Sequence, residues 1–228
     1  MSRRSAGAPV GVLAMLLAGS CTTAGDPGEA GRAPPLPSPA SSYVIPSPVL
    51  TPRPFTLEDL GGVVLGRTDT PSGTEFAPQY SVDQTIDEFA DDDEELTALR
   101  GDGFVVGHIT LFVPEGQLEQ DAPPVEPGQV FVQGVAALFE TDVGAESSLR
   151  RYVSSLRALQ LDREVPIPAE ELGESGQGLR GRSDGEPVTI YAWRSANLVL
   201  AVSGSGEIAP RDVRALADLI EGRADRLR

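Results

Sequence analysis

Apolar residues recur at helical spacing in three stretches of the chain, residues 81–101, 142–160 and 210–226. A repeat near 3.6 residues is typical of an amphipathic helix with one buried face. Two runs of β-branched and aromatic residues, 104–113 and 130–139, lie between the first stretch and the second, and they predict strands. The pattern therefore predicts a helix, two strands and a second helix, in that order.

A second pair of strands is predicted before the last helix. Residues 188–194 and 198–203 are again rich in β-branched and aromatic side chains, and Ser195-Ala196-Asn197 between them has the composition of a tight turn. A weaker strand is predicted over 178–182, and a short helical turn over 55–60. After the second helix, the pattern therefore predicts two or three further strands and one long helix.

Consecutive strands without a helix between them are expected to pair antiparallel. The predicted fold class is therefore α+β: an antiparallel sheet with about three helices packed on it, forming a single domain over residues 55–228. This order of elements resembles the PsbP/Mog1-like domains found in some exported bacterial lipoproteins. That resemblance implies an α+β domain that works outside the cytoplasm.

The first 20 residues have the layout of a secretory signal peptide. Arg3 and Arg4 give a positive start, residues 6–18 are apolar, and small residues follow at Gly19 and Ser20. An apolar run of this length is shorter than the roughly 20 residues that a spanning helix needs. The N-terminus therefore predicts export rather than a permanent transmembrane helix.

Ala18-Gly19-Ser20-Cys21 resembles the lipobox of bacterial lipoproteins, although Ala18 stands where that family usually has Leu or Val. The resemblance implies that the Cys21 thiol is acylated with diacylglycerol and that the chain is cut just before it. Two acyl chains bind a membrane stably, whereas one binds marginally. The predicted location is the extracytoplasmic face of the cell membrane. Two alternatives stay open: an ordinary signal peptide that leaves a free thiol, and a twin-arginine signal at Arg3-Arg4.

Residues 21–54 begin with the cysteine and continue as a linker dominated by Pro, Ser, Ala and Gly. This composition has no hydrophobic period and cannot bury a core, so the sequence predicts an extended, disordered tether. A Pro-rich linker reaches about 3.1 Å per residue. Such a tether would hold the domain clear of the membrane; the alternative is a disordered tail without a spacing role.

The chain carries a net charge of −16 and contains no lysine. Binding to a nucleic-acid backbone requires clustered cations, so nucleic acid is excluded as a partner. The same charge disfavours docking on anionic lipid through a basic surface. The predicted partners are the membrane, through the lipid anchor, and an unidentified protein, cell-wall component or small molecule.

The chemical inventory is poor for an enzyme. His108 is the only histidine, and its position on the strand face of Phe104, Val106 and Phe112 predicts a structural role. There is no lysine for Schiff-base chemistry, and the only thiol is the predicted lipid attachment site. We therefore expect no catalytic residues, no cofactor and no metal site.

Three segments resemble functional motifs but depart from them. Residues 91–95 are all acidic but lack the glycine of a calcium loop. Residues 204–209 match G-x-G-x-x-A, but no further strand follows to complete a dinucleotide-binding unit. Residues 173–178 approach a nucleophile elbow around Ser175, with Gln177 where that motif needs glycine. We expect a solvated acidic face from the first and ordinary loops from the others.

Trp193 and Arg194 end one strand of the second pair, where an aromatic ring beside a cation can form a recognition surface. The alternative is that Trp193 covers the edge of the core. The loop over 114–128 is the other candidate contact, because long loops are often functional. The predicted function is a non-catalytic binding or accessory module of a lipid-anchored exported protein. The alternatives are an envelope hydrolase that uses carboxylates and a lipid carrier.

Overall fold

Eight strands form one antiparallel sheet with helices on both of its faces, as seen in the computed structural model of the chain. The structure describes residues 53–119, 124–158 and 161–228. The predictions for the signal peptide, for Cys21 and for the tether up to residue 52 lie outside these ranges. The predicted α+β fold class is confirmed.

The elements follow the chain in a simple order. The strands are β1 Thr74–Phe76, β2 Val82–Gln84, β3 Phe104–Pro114, β4 Phe131–Phe139, β5 Asp162–Ile167, β6 Glu174–Ser183, β7 Glu186–Ser195 and β8 Leu198–Ser205. The helices are α1 Leu57–Val63, α2 Ile86–Phe89, α3 Asp93–Gly101, α4 Asp142–Ala158 and α5 Pro210–Leu227. No helix among these described residues is both long enough and apolar enough to cross a membrane.

The sheet has the strand order β1-β3-β4-β8-β7-β6-β5, and β2 pairs with β3 beyond the end of β1. The four strands predicted over 104–113, 130–139, 188–194 and 198–203 correspond to β3, β4, β7 and β8. The weak strand predicted over 178–182 is β6, which begins four residues earlier. The pairs β3–β4 and β7–β8 form the centre of the sheet.

Alternation along the central strands explains why both faces of the sheet are covered. On β8, Leu198, Leu200 and Val202 point into the core beneath α1 and α5. Val199 and Ala201 point to the opposite face, into the core beneath α3 and α4. An apolar run without polar interruptions is the pattern expected of a strand buried on both sides.

The single helix predicted over 81–101 is wrong. The structure has β2, α2 and α3 in that stretch, because two separate helix starts interrupt the chain. At the first, the Glu88 carboxylate accepts hydrogen bonds from the Thr85 backbone N–H and hydroxyl at 2.9 and 2.8 Å. At the second, the Asp92 carboxylate accepts from the Glu95 N–H at 2.8 Å.

Ser81 is the expected first residue of that helix, and in the structure it serves the sheet instead. Its hydroxyl accepts a hydrogen bond from the Leu111 N–H at 3.1 Å and donates one to the Ala77 carbonyl at 2.9 Å. These contacts hold the chain against β3 before β2 begins. Farther on, Gly107 leaves room for the Phe89 ring, because a Cβ atom there would lie 2.2 Å from that ring. The glycine therefore seats α2 on β3.

The chain directions place the connections at two opposite ends of the sheet. One end, called the tether end, holds Phe55, the last residue of β4 and the turn at Ala196–Asn197. The other, called the loop end, holds the β3–β4 connection, the turn at Asp184–Gly185 and the turn after β8. At about 3.3 Å per residue, the 11 residues of β3 separate the two ends by roughly 35 Å.

Candidate functional site

Trp193 does not form a contact surface. Its side chain is completely buried in the core beneath α1 and α5, and its Nε1–H donates a hydrogen bond to the Glu221 carboxylate at 2.6 Å. The expectation of an exposed ring is therefore wrong, and the alternative that Trp193 covers the core is correct. The physical reason is that the hairpin turn lies against α5, which closes over this end of β7.

Arg194 is likewise engaged within the molecule. Its guanidinium contacts the Glu174 carboxylate and donates to the Ala196 carbonyl at 3.1 Å. Arg228 at the end of α5 also contacts Glu174, at 3.9 Å, and Glu221, at 3.5 Å. These carboxylates face guanidinium groups, so the cluster fastens α5 to β6 and β7. Nothing in this arrangement provides the paired acid and base that a carboxylate hydrolase needs.

His108 and Ser175 are too far apart to act together. His108 lies on β3 and Ser175 on β6, four strands away in the sheet, which corresponds to about 19 Å. The His108 Nδ1 lies 2.7 Å from the Asp83 carboxylate, on the face covered by α1 and α5. A register shift between Phe104 and Val106 turns Phe104 to the other face, which corrects the expected grouping of these side chains.

The acidic stretch at 91–95 is a helix start rather than a cation site. Asp92 caps α3, and the described residues contain no group of three or more His, Cys, Asp or Glu side chains placed to hold a metal ion. Within this stretch Glu95 is buried, with 6% of its surface exposed, whereas Asp93 is exposed to solvent. The Glu95 carboxylate accepts a hydrogen bond from the Asp91 N–H at 2.9 Å.

Burial raises the pKa of Glu95 to about 7, and the charges of Asp91 and Asp92 act in the same direction, while Arg151 opposes them. The folded protein therefore binds this proton more tightly than the unfolded chain, and stability falls as the pH rises from about 4.5 to 7. We expect Glu95→Gln to raise the free energy of unfolding by about 1–2 kcal/mol at pH 8 and to leave it nearly unchanged at pH 4.

Urea denaturation at both pH values measures this difference, with the exposed neighbour variant Glu94→Gln as the control. The amide oxygen introduced by Glu95→Gln would still accept the Asp91 N–H, so the substitution changes the charge and little else. Equal effects of the two variants on the free energy of unfolding at pH 8 would show that the ionised Glu95 carboxylate does not destabilise the folded protein.

Residues 204–209 comprise the end of β8 and the turn that follows it. Gly206 has φ of 82°, and its N–H donates to the Pro187 carbonyl at 3.0 Å. The Glu207 N–H donates to the Gly128 carbonyl at 2.9 Å. This turn therefore anchors the last part of the β3–β4 connection to the loop end of the sheet.

Both described parts of the loop over 114–128 are attached to the sheet; residues 120–123 lie outside the described ranges. The Leu118 N–H donates to the Glu75 carboxylate at 3.1 Å, and the Gly128 N–H donates to the Glu186 carboxylate at 3.1 Å. The described parts of the loop therefore lie at the loop end of the sheet, one beside β1 and the other beside β7.

A gap between α1, α5 and the sheet is the feature that bears on lipid carriage. It is lined by apolar atoms, including those of Leu65, Ala136, Leu200 and Ile220, and it is too narrow to admit a water molecule. A space of this size holds no acyl chain. The gap therefore gives no support to the alternative of a lipid carrier.

Asn197 holds the beginning of the domain, a role that its place in the sequence did not indicate. Its Oδ1 accepts from the Phe55 N–H at 2.7 Å, and its Nδ2 donates to the carbonyls of Phe55 at 3.1 Å and Phe139 at 2.8 Å. Asn197 is buried and is the only asparagine of the chain. These bonds fix Phe55 at the tether end of the sheet.

Part of the sheet face on the α4 side has no helix over it among the described residues. The helix α4 packs on β4, β8 and β7, and α2 and α3 pack on β3 near the tether end. Toward the loop end, Val82 pairs with Ile109, and Leu111 and Phe131 continue the same face. We call Val82, Ile109, Leu111 and Phe131 the open sheet face.

The open sheet face is apolar and partly exposed. Val82 has 43% of its surface exposed, and the other three side chains are only half-buried. None of the four belongs to the three buried clusters of the core. Neighbouring Tyr80, in the short turn before β2, is also exposed. Sequence alternation could place these residues on one face but could not show that α4 leaves that face uncovered.

No known protein family matches this chain, and no curated protein is similar to it. Among solved structures, the chain is similar to the crystal structure of the extracellular domain of PknH from Mycobacterium tuberculosis. The two share 11% sequence identity over 76% of this chain and 98% of that one, with a TM-score of 0.48. This likeness is too low to carry any property of that domain to the present chain.

Proposed function

We propose that this protein is an exported lipoprotein, anchored through Cys21 to the outer face of the cell membrane, whose α+β domain is a non-catalytic binding module. The observation that carries the proposal is the N-terminal pattern: two arginines, a short apolar run, small residues and the only cysteine of the chain. Acylation gives that single thiol a role in an exported protein.

The position of the chain start in the fold supports a tethered arrangement. Phe55 is buried, and Asn197 binds both of its backbone groups, so the first described residues of the chain are held at the tether end. Arg53 adds two contacts of 2.8 Å to the Asp59 carboxylate, which fix the chain one turn before α1. A membrane anchor would therefore act on the domain through the tether end.

A binding role fits the side chains that the structure brings together. Ser175 has no histidine within reach, and the carboxylates near α5 face arginines. The open sheet face, by contrast, offers apolar side chains to a partner at the loop end. Attachment at the tether end and partner contact at the loop end form the arrangement expected of a tethered binding module.

Replacing Cys21 with Ala tests the anchor. We expect the wild-type protein to fractionate with membranes and the Cys21→Ala variant to be lost from them, because the variant has no thiol to acylate. The matched control is Thr22→Ala, which changes the neighbouring residue and keeps the thiol. Membrane association of Cys21→Ala equal to that of wild type would contradict the proposal.

A further inference from the structure

We infer that the open sheet face binds a segment of a partner protein that presents apolar side chains flanked by lysine or arginine. The inference rests on the proposed function in one respect, namely that the domain is a binding module. It goes further by assigning the surface and the chemistry of the partner.

The apolar part of the argument comes from the packing. Val135 follows Phe131 on the same face of β4 and packs against the core beneath α4, whereas Phe131 is left outside that core. On β3, Ile109 and Leu111 are likewise left outside the core to which α2 contributes. Contiguous exposed apolar side chains rimmed by polar residues mark interaction surfaces in soluble domains.

The charge around the open sheet face indicates which charge a partner should carry. The described segments that build and border the open sheet face, 74–89, 104–119 and 124–139, contain no arginine, and the chain contains no lysine. They carry seven acidic residues: Glu75, Asp83, Asp87, Glu88, Glu115, Glu119 and Glu126. On the other side of the molecule, by contrast, acidic residues face arginines, as Asp69 faces Arg223.

Only two of these seven side chains contact a basic group among the described residues: Asp83 contacts His108 on the face covered by α1 and α5, and Asp87 contacts Arg100 at 3.2 Å. The region around the open sheet face therefore has a negative potential that the fold itself does not neutralise. Such a potential speeds encounter with cationic partners and repels anionic ones. Nucleic acid and anionic membranes are repelled, so a basic and apolar protein segment fits best.

The position of the surface agrees with this role. Leu111 and Phe131 lie next to the ends of β3 and β4 that the loop over 114–128 connects, which is the loop end of the sheet. This end is opposite to the tether end, where Phe55 is held. A partner can therefore reach the open sheet face while the tether end is held at a membrane.

Two synthetic peptides serve as probes, acetyl-Lys-Val-Lys-Leu-Lys-Val-Lys-amide and the peptide with each lysine replaced by glutamate. They are titrated into the isotope-labelled full chain carrying Cys21→Ala, and binding is followed by amide chemical shifts. We expect the cationic peptide to shift the amides of β2, β3 and β4 around the open sheet face, and the anionic peptide to shift none.

Val82→Arg is expected to weaken binding of the cationic peptide by about tenfold, since it places a positive charge within the apolar surface. The matched control, Val165→Arg, changes a valine with 54% exposure on the far edge strand β5 and is expected to change the affinity by less than about twofold. Glu119→Arg, on the exposed loop, is expected to weaken binding by about threefold without touching the sheet.

Equal binding of both peptides, shifts centred away from the open sheet face, or no binding of either peptide at millimolar concentration would overturn the inference. If Val82→Arg unfolds the domain, the Glu119→Arg variant and the map of shifted amides decide the question. The chain used carries no lipid, so this test can fail while Cys21 anchors the wild-type protein, and it can succeed if Cys21 does not.

Discussion

Replacing Asn197 with Ala is expected to lower the free energy of unfolding by about 3–5 kcal/mol, which is a large part of the stability of a domain of this size. The substitution removes the partners of three buried backbone groups: the Phe55 N–H and the carbonyls of Phe55 and Phe139. Each unsatisfied buried group costs about 1–3 kcal/mol. Urea denaturation measures the loss.

Hydrogen exchange of the Phe55 amide gives the second readout. In the Asn197→Ala variant, this amide should exchange through local opening of the segment around Phe55 rather than through global unfolding. The matched control is Gln177→Ala, which removes an amide with one 3.3 Å contact to Arg157 and is expected to cost less than about 0.5 kcal/mol. A loss below about 1 kcal/mol for Asn197→Ala would contradict the role given to this side chain.

Replacing Trp193 with Phe is expected to destabilise the domain by about 2–4 kcal/mol at pH 7. Phenylalanine leaves a cavity in the core beneath α5, and it removes the N–H that bonds to the Glu221 carboxylate at 2.6 Å. Burial raises the pKa of Glu221, and the Trp193 hydrogen bond opposes that rise. Without the bond the ionised carboxylate becomes costlier, so the loss should be larger at pH 8 than at pH 4.

A double-mutant cycle separates the cavity from the lost hydrogen bond. In a Glu221→Gln background the carboxylate is absent, so Trp193→Phe should cost about 1 kcal/mol less than it does in the wild-type protein. The comparison is made by urea denaturation at one pH and one salt concentration. Additivity of the two substitutions within about 0.5 kcal/mol would show that the indole and the carboxylate do not stabilise each other.

The parts of the fold that could be predicted were those with long, unmixed patterns. The helices α4 and α5 have many turns of regular apolar spacing, β8 is apolar over residues 198–202 and β7 is mostly apolar over residues 188–193, so tertiary contacts agree with local preference. The edge strands β1 and β2 have only three residues each. Strands of that length exist because β3 offers them backbone partners, which a local pattern cannot show.

The stretch 81–101 shows how a helical spacing can mislead. Its apolar residues do recur at intervals near 3.6, yet the side chains of Glu88 and Asp92 start two separate helices. Their hydrogen bonds to nearby backbone groups compete with one continuous helix. The spacing was therefore right that Leu99 is buried, but it was wrong about the element that carries this residue, and Val82 in the same stretch is exposed.

The candidate sites were harder to predict because exposure depends on contacts between distant elements. Tryptophan is a residue type common at recognition surfaces, but α5 packs over β7 and buries the Trp193 side chain. Ser195-Ala196-Asn197 was predicted only as the turn between two strands. In the structure, Ala196 takes the positive φ of 51°, and Asn197 points inward to bind a strand end and the chain start.

The strands of the open sheet face were predicted, but the exposure of their side chains was not. Ile109 and Phe131 belong to strands that the sequence predicted correctly, and nothing in their pattern distinguishes them from core residues. They are left uncovered because α4 crosses toward β7, where Leu156 packs with Leu179 and Ile190. Only the path of α4, the element that follows β4, reveals which part of this sheet face stays accessible.

The measurement that tests the central claim most directly is the intact mass of the exported protein, followed by the mass of its N-terminal peptide. The account predicts a mature chain that begins at Cys21 and carries a diacylglycerol group on the thiol. A chain that retains residues 1–20, or one that begins elsewhere with an unmodified thiol at residue 21, would contradict it.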